Sequence, residues 1–296
     1  MMNGVLNLIK PPGMTSFDVV RLIKKAVGEK KVGHSGTLDP AASGVLPVFV
    51  GRNATKTIGY LDRTEKSYRA VMRLGVETDT MDAEGNVLKL MPAKVNKSDI
   101  TEAALGFIGE IEQIPPMYSA VKQKGKKLYE LARQGLTVER SPRRIMIYKL
   151  DIVEFEGDYA ILDVKCSSGT YIRTLCSDIG KKLGCGAHLA FLVRTASGPF
   201  NIGEAFTLED AIRKLSIGET GELLLPADYA LKSLDRVTIS EKNAARFRNG
   251  MTIPADGETE PGSKTRVYSC DGELLGVAET LIKDENKYFK PEKIFS

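Results

Sequence analysis

The sequence contains no tryptophan, only two histidines and only four cysteines among its 296 residues. The cysteines form no C-x-x-C pair and the histidines are distant from each other, so a zinc site is not expected. The phosphate-binding pattern G-x-x-x-x-G-K-[ST] and the dinucleotide pattern G-x-G-x-x-G are both absent. We therefore expect a protein that needs neither a metal ion nor a nucleotide cofactor.

Long apolar runs are missing as well. No stretch approaches the roughly 20 apolar residues that span a bilayer, and the first residues lack the basic start and apolar core of a secretory signal. An apolar fraction of 42% and a charged fraction of 27% are typical of soluble globular proteins. We expect a cytoplasmic protein with no membrane partner, whose cysteines are reduced and buried.

The order of the apolar segments predicts an α+β fold in two parts. Residues 1–230 alternate strand-like and helix-like segments, which predicts a mostly antiparallel mixed sheet flanked by helices. From residue 231 to 296, short apolar runs among turn residues predict a small β-rich domain. The predicted strands are 5–9, 45–50, 66–74, 144–155, 159–167 and 188–195. The predicted helices run from Thr15 or Ser16 to Gly28, and over 53–61, 98–107, 171–183 and 207–215.

Two local predictions concern the segment between these elements. Residues 77–86 are acidic and rich in turn residues, which predicts a surface loop. Ser98 is predicted to cap the following helix, whose buried stripe would consist of Ala103, Ala104, Phe107 and Ile108.

A glycine-rich stretch at residues 31–48 is the first candidate for a functional loop. Gly33, Gly36 and Gly44 surround His34 and Asp39 just before an apolar strand. Because the residue before a proline is driven out of the helical region, Asp39 is expected to project from an extended loop. The pattern is typical of an active-site loop on a rigid sheet. It also fits a plain turn in which Asp39 caps local backbone groups.

Residues 115–144, which we call the basic segment, differ in composition from the rest of the chain and are bounded by prolines at both ends. Between 122 and 144 there are eight Lys or Arg residues against two Glu, a net charge of +6, whereas the whole chain carries only +4. The positive charge is therefore local, which is what contact with a polyanion requires. The alternative is a solvated helix face.

Five stretches in order resemble the TruB family of tRNA pseudouridine synthases. The longest is G-H-S-G-T-L-D-P-A-A-S-G-V-L-P-V at residues 33–48, which is similar to the family's catalytic motif. The others are K-P-P-G-M-T-S at 10–16, K-S-Y-R-A at 66–70, G-T-Y-I-R-T-L at 169–175 and H-L-A-F-L-V-R-T at 188–195. Together they span about two thirds of the chain.

The resemblance implies the pseudouridine synthase fold, with a PUA-like module at the C-terminal end. It implies that Asp39 is the catalytic carboxylate, that Arg173 pairs with it, and that Tyr68 stacks on the target base. His34 would pack where the base has left its stack, and Leu192 would form an apolar wall of the uracil pocket. His188 is interpreted as structural. Further substrate contacts are expected from five cations: Lys10, Lys124, Lys126, Lys127 and Arg143.

The function implied is isomerisation of a T-arm uridine of tRNA, without cofactor, by a monomer that needs no protein partner. One alternative is the related guide-RNA-dependent synthase, which the lack of long basic extensions disfavours. Another is an RNA-folding module in which catalysis is incidental. A third is an aspartate-dependent hydrolase acting on a small substrate, which would leave the basic segment without a purpose.

Overall fold

A computed structural model describes residues 2–61, 64–123, 125–255 and 259–295, with the side chain of Lys127 also left out. The strands, numbered along the chain, are β1 Gly4–Lys10, β2 Val32–His34, β3 Ser43–Val50, β4 Lys66–Leu74, β5 Val76–Thr78, β6 Val87–Leu90, β7 Gly109–Gln113, β8 Lys122–Gln123, β9 Lys126–Lys127, β10 Arg143–Glu156, β11 Tyr159–Cys166, β12 Ala187–Ser197, β13 Phe200–Asn201, β14 Phe206–Thr207, β15 Leu224–Leu225, β16 Asp235–Thr238, β17 Ile253–Pro254, β18 Lys264–Tyr268, β19 Leu274–Lys283 and β20 Asn286–Ile294. The helices are α1 Ser16–Val27, α2 Arg52–Lys56, α3 Ile58–Leu61, α4 Lys97–Leu105, α5 Leu128–Ala132, α6 Ile172–Lys182, α7 Leu208–Ser216 and α8 Glu241–Arg248, with short 3-10 turns at Ile202–Glu204 and Ala227–Leu231.

A mixed sheet of 11 strands forms the centre of the molecule. Its main path is β14-β1-β3-β12-β4-β11-β10-β7, with β2, β13 and β15 attached at its side. Among the strand pairs that the described residues form in this sheet, β1–β14 and β3–β12 are parallel and the others are antiparallel. The predicted α+β fold with a mostly antiparallel sheet is confirmed.

Helices cover this sheet because their apolar stripes match its buried faces. Helix α1 begins with a capping box between Thr15 and Asp18 and ends at Gly28, whose φ of 66° is the left-handed conformation that favours glycine. Val19 and Ile23 of α1 pack with Leu6 of β1 in one buried cluster, to which α7 also contributes. Helices α4 and α6 cover the other half of the sheet around β4, β10, β11 and β12.

A second sheet of five strands, in the order β16-β18-β19-β20-β17, occupies the C-terminal part together with α8. It docks on the first part through apolar and polar contacts. Leu231, Val277 and Phe295 form one small buried cluster. Lys56 donates a hydrogen bond of 2.8 Å to the carbonyl of Ile294. The predicted β-rich C-terminal part is confirmed, and its likeness to a PUA module stays a prediction.

Several local predictions were wrong for identifiable reasons. Asn96, not Ser98, caps α4, because its Oδ1 accepts hydrogen bonds from the backbone of Ser98 and Asp99. The helix ends at Leu105, so helical spacing no longer applies to Ile108, which is 41% exposed. Of the four cysteines, Cys270 is exposed rather than buried. The single helix expected at 53–61 is divided into α2 and α3.

The segment 77–86 also departs from the predicted surface loop. It starts in β5, which pairs with β6, and its turn is held against β12 by a 3.0 Å hydrogen bond from Leu189 N–H to Met81 O.

In the part of the chain that the structure describes, no helix is long and apolar enough to span a bilayer.

Candidate active site

The glycine-rich loop, residues 35–42, joins β2 to β3 at the middle of the large sheet. Gly44 makes this position possible, because its backbone lies against Arg194 of β12. A Cβ atom at residue 44 would lie 2.2 Å from the carbonyl oxygen of Arg194, and the φ of 109° also favours glycine. The close approach of β3 and β12 therefore fixes where the loop leaves the sheet.

Three side chains hold the loop in place through hydrogen bonds to its backbone. Ser16 accepts a 2.9 Å hydrogen bond from Leu38 N–H, and its hydroxyl lies 3.3 Å from Leu38 O. Lys10 is fully buried and donates to the carbonyls of Pro11, Met14 and Pro40 at 2.8, 2.8 and 3.0 Å. Arg194, 1% exposed, donates to Val45 O at 2.7 Å and to Gly36 O at 2.8 Å. These contacts bond the carbonyls of Gly36, Leu38 and Pro40 and restrict the loop.

Asp39 and Arg173 form an ion pair above this support. Nε of Arg173 lies 3.0 Å from Oδ2 of Asp39, as the sequence resemblance implied. The Arg173 side chain is only 5% exposed, whereas that of Asp39 is 45% exposed. The exposed part of the Asp39 carboxylate is accessible to a substrate.

The other nitrogens of Arg173 reach two further segments. Nη1 lies 3.5 Å from Oδ2 of Asp82 and 3.4 Å from Thr80 O. Nη2 donates a 2.7 Å hydrogen bond to Tyr118 O, at the start of the basic segment. A buried guanidinium needs such acceptors to offset its desolvation. Arg173 thus ties together the glycine-rich loop, the turn after β5 and the basic segment.

The pKa of Asp39 is raised above its ordinary value. Burial by the surrounding walls is the largest cause, and it outweighs the opposing effect of the Arg173 guanidinium. Asp82 raises the pKa further and Lys10 lowers it. Burial also lowers the pKa of Lys10, to about 8, which leaves the ammonium mostly protonated at neutral pH. The carboxylate is therefore more basic than a surface aspartate.

Tyr68 lies on β4 and is 8% exposed, with its ring in the buried cluster that contains Leu38 and Leu192. Its hydroxyl is hydrogen-bonded with Arg194, and burial raises its pKa to about 12, so the phenol stays neutral. Asp39 is close enough to contribute to that shift. The ring is thus held in the core near Asp39, and its stacking on a base stays a prediction.

A small recess opens beside Asp39 with a volume of about 30 Å³. It is lined by Asp39, Ala41, Ala42, Asp82, Ala83, Glu84, Arg173, Leu189, Ala190 and Leu192. Leu192 lines this recess, and its role as a wall of the uracil pocket stays a prediction.

The remaining predicted contacts lie outside this recess. His34 is half-buried at the end of β2, and His188 is buried with Nδ1 3.0 Å from Val76 O, as expected for a structural histidine. Lys126 and Arg143 are exposed, on β9 and at the start of β10. Lys124 and the side chain of Lys127 lie outside the described residues. The direct substrate contact expected of Lys10 does not fit its geometry, because three carbonyls already surround its ammonium group.

The sequence did not identify three groups that contact the site residues. Asp82 was assigned to a surface loop, although the surplus of carboxylates at 77–84 was a signal that a distant cation could be their partner. Arg194 was noticed only as part of a motif. The carbonyl of Tyr118 has no signature in sequence. Among the described residues, no group of three or more His, Cys, Asp or Glu is placed to hold a metal ion.

Comparison with protein families gives three consecutive matches. The TruB family pseudouridylate synthase N-terminal domain matches residues 24–172. The tRNA pseudouridylate synthase B C-terminal domain matches residues 173–232, and the C-terminal domain of pseudouridine synthase II TruB matches residues 236–286. Asp39 and Tyr68 fall in the first match, whereas Arg173 and Leu192 fall in the second. The ion pair is thus assembled across two family segments.

Curated relatives match along nearly the whole chain. The tRNA pseudouridine synthase B of Alkaliphilus oremlandii is 46% identical over 98% of this chain and 97% of its own. The protein of the same name from Clostridium perfringens is 44% identical, with 99% of both chains covered.

Solved structures with the same fold come from larger assemblies. A chain in a Cbf5-Nop10-Gar1 complex superimposes with a TM-score of 0.78 at 31% identity, covering 99% of this chain and 85% of that one. A chain in an H/ACA RNP bound to a substrate RNA containing 2'-deoxyuridine gives a TM-score of 0.77 at 29% identity, with the same coverage.

Proposed function

The chain belongs to the TruB family of pseudouridylate synthases, and from this premise we propose that it isomerises a T-arm uridine of tRNA to pseudouridine. The observation that carries the proposal is the half-exposed Asp39, held by the buried Arg173 at the edge of a recess. The curated relatives named tRNA pseudouridine synthase B support tRNA as the substrate.

The reaction breaks the N1–C1′ bond of uridine, turns the base and joins the sugar to C5. It consumes no electrons or phosphate on balance. What it needs is a carboxylate beside the base and sugar, acting as a nucleophile or as a base. Asp39 supplies that group in the proposal, because its carboxylate is half-exposed at the edge of the recess. Arg173 holds the carboxylate in orientation and favours its charged form.

The target base must leave its stack before it reaches Asp39, which costs a few kcal/mol. Stacking of an extruded base on an aromatic ring contributes about 1–3 kcal/mol, so Tyr68 can offset most of that cost. In the proposal Leu192 closes the apolar side of the base, and His34 packs into the position that the base vacates. Lys10 acts indirectly, by holding the loop that carries Asp39.

The basic segment is proposed to grip the phosphates of the stem-loop. Its short hairpin β8–β9 and helix α5 follow Tyr118, whose carbonyl accepts the hydrogen bond from Arg173 Nη2. Lys124, Lys126, Lys127 and Arg143 would contribute charge along this grip. We propose that the enzyme acts in this way as a monomer and without a protein partner.

A guide-RNA-dependent synthase is the second candidate, because the chains in the Cbf5-Nop10-Gar1 complex and the H/ACA RNP share the fold. Sequence identity favours the first candidate, since it is 46% with the tRNA enzyme and 31% with the chain of the Cbf5 complex. The deciding experiment is release of tritium from C5-labelled uridine in a bare T-arm stem-loop. Release without any guide RNA supports the proposal, and release only with a guide RNA overturns it.

A further inference from the structure

The exposed face of α1 carries an aromatic ring between positive charges. Phe17 is 70% exposed, although large aromatic side chains are usually covered. Arg21 and Lys24 follow it at intervals of four and three residues, so the three side chains share one face of the helix. Arg21 is 72% exposed, and Lys24 is also exposed. We call Phe17, Arg21 and Lys24 the α1 stripe.

The start of the α1 stripe is fastened to the catalytic loop. Ser16, the residue before Phe17, is hydrogen-bonded to the backbone of Leu38, the residue before Asp39. Gly13 N–H donates a 2.9 Å hydrogen bond to Pro40 O on the other side of Asp39. Because both contacts join backbone segments that flank Asp39, the first turn of α1 lies beside the catalytic carboxylate.

Positive charge accumulates along the same segment. Residues 16–31 contain five Lys or Arg against Asp18 and Glu29, a net charge of +3. Asp18 is occupied locally, because it accepts hydrogen bonds from Thr15 and pairs with Arg21 at 3.0 Å. The net charge of the residues outside 122–144 is −2, because the chain carries +4 and that segment +6. The positive cluster at 16–31 therefore lies in a part of the sequence that is acidic on balance.

We propose that the α1 stripe is a second RNA-binding surface, on which Phe17 stacks with an unpaired base next to the target uridine while Arg21 and Lys24 contact phosphates. The inference rests on the proposed function, because it assigns the stripe to the same RNA. An aromatic ring flanked by cations is the arrangement that binds single-stranded nucleic acid. A lone exposed Phe would need no explanation. The positive charges next to Phe17 and the attachment of α1 beside Asp39 explain why this ring is exposed.

The test of the ring compares Phe17→Leu with Phe17→Tyr in binding titrations with a T-arm stem-loop. Leucine keeps apolar bulk but cannot stack, so affinity is expected to fall about tenfold. Tyrosine keeps the stacking surface, and its affinity is expected to stay within about twofold of wild type. Equal affinity of Phe17→Leu and wild type would overturn the stacking role. Thermal unfolding of each variant checks that the fold is intact.

The test of the charge compares Arg21→Ala with Arg213→Ala. Helix α7 offers this matched control, because Thr207 caps it and Arg213 pairs with Asp210 as Arg21 pairs with Asp18. Arg213 is 61% exposed, and the hydroxyl of the capping residue Thr207 donates to Asp210 of its own helix. Removal of a phosphate contact should reduce the slope of log affinity against log salt by about 0.7–0.9 for Arg21→Ala only.

The outcomes separate the inference from the proposed function. A wild-type enzyme that releases no tritium from the stem-loop contradicts the function itself. A wild-type enzyme that is active, with Arg21→Ala and Arg213→Ala showing equal salt slopes and Phe17→Leu binding normally, contradicts only the α1 stripe. Loss of affinity in both arginine variants would mean a general charge effect, which also overturns the assignment.

Discussion

Arg173 and Asp39 are joined at 3.0 Å, yet the arginine is 5% exposed and the aspartate 45% exposed. Because of this difference in exposure, the two residues have different roles. The guanidinium is held by Asp82, Thr80 and Tyr118 and has little freedom to follow a substrate. The carboxylate is held by the arginine and is half-exposed, so a substrate meets a charge whose position the protein has already fixed.

The first prediction is that Asp39→Asn abolishes turnover and leaves RNA affinity nearly intact. The amide keeps the shape of the side chain and loses the charge that the reaction requires. Tritium release and binding titrations on the same stem-loop measure the two effects. Residual activity within tenfold of wild type would remove Asp39 from the catalytic role.

The second prediction is that Asp82→Asn slows turnover about 10- to 100-fold, because a small displacement of Arg173 misaligns Asp39. Asp79→Asn is the matched control in the same turn, since the Asp79 carboxylate accepts hydrogen bonds from Asn86, whereas that of Asp82 pairs with Arg173. Rates at saturating RNA compare the two variants. Equal rates for Asp79→Asn and Asp82→Asn would mean that the turn matters only for folding.

The third prediction concerns the acid limb of the pH–rate profile. The folded pKa of Asp39 is raised, so the charged form is present above that pKa and is lost as pH falls through it. The rate should therefore decline at a pH above the ordinary titration of aspartate. Asp82 is one cause of the raised pKa, so Asp82→Asn should move the limb to lower pH. A limb that moves upward in this variant would contradict the assignment.

The fourth prediction is that chelators leave the rate unchanged. The sequence contains no metal-binding or nucleotide-binding pattern, and the proposed chemistry needs only a carboxylate. Tritium release is measured in EDTA after the stem-loop has been shown to stay folded. Loss of activity that one particular divalent ion restores would show that a metal takes part.

Sequence reasoning succeeded where the signal is local. Thr15 and Gly28 define α1 because a capping residue and a left-handed glycine act on their own helix. The alternating residues of 66–74 form β4 over those same bounds. The pairing of Asp39 with Arg173 is different in kind, because it came from resemblance to a family and not from any property of either segment.

Two of the failures concern contacts between distant segments, and a third concerns the choice between two neighbouring capping residues. Asp82 looked like a solvated carboxylate, because nothing near it in sequence shows that its turn docks on Leu189 and reaches Arg173. Tyr118 takes part through a backbone carbonyl, which every residue possesses. Asn96 displaced Ser98 as a cap because two capping residues lay within one turn, and Asp99 completed a capping box with Asn96 only.

The last prediction concerns the basic segment. If residues 122–144 grip phosphates, replacing Lys124, Lys126 and Lys127 with alanine should weaken binding to every stem-loop similarly, because phosphate contacts carry no sequence information. Each lost contact should flatten the slope of log affinity against log salt by about 0.7–0.9, and the triple variant by up to roughly 2–3. Replacing the same residues with arginine keeps the charge and should preserve the slope. Parallel slopes for the wild type and the alanine variant would mean that these lysines face solvent, and the grip on the RNA would have to be sought elsewhere.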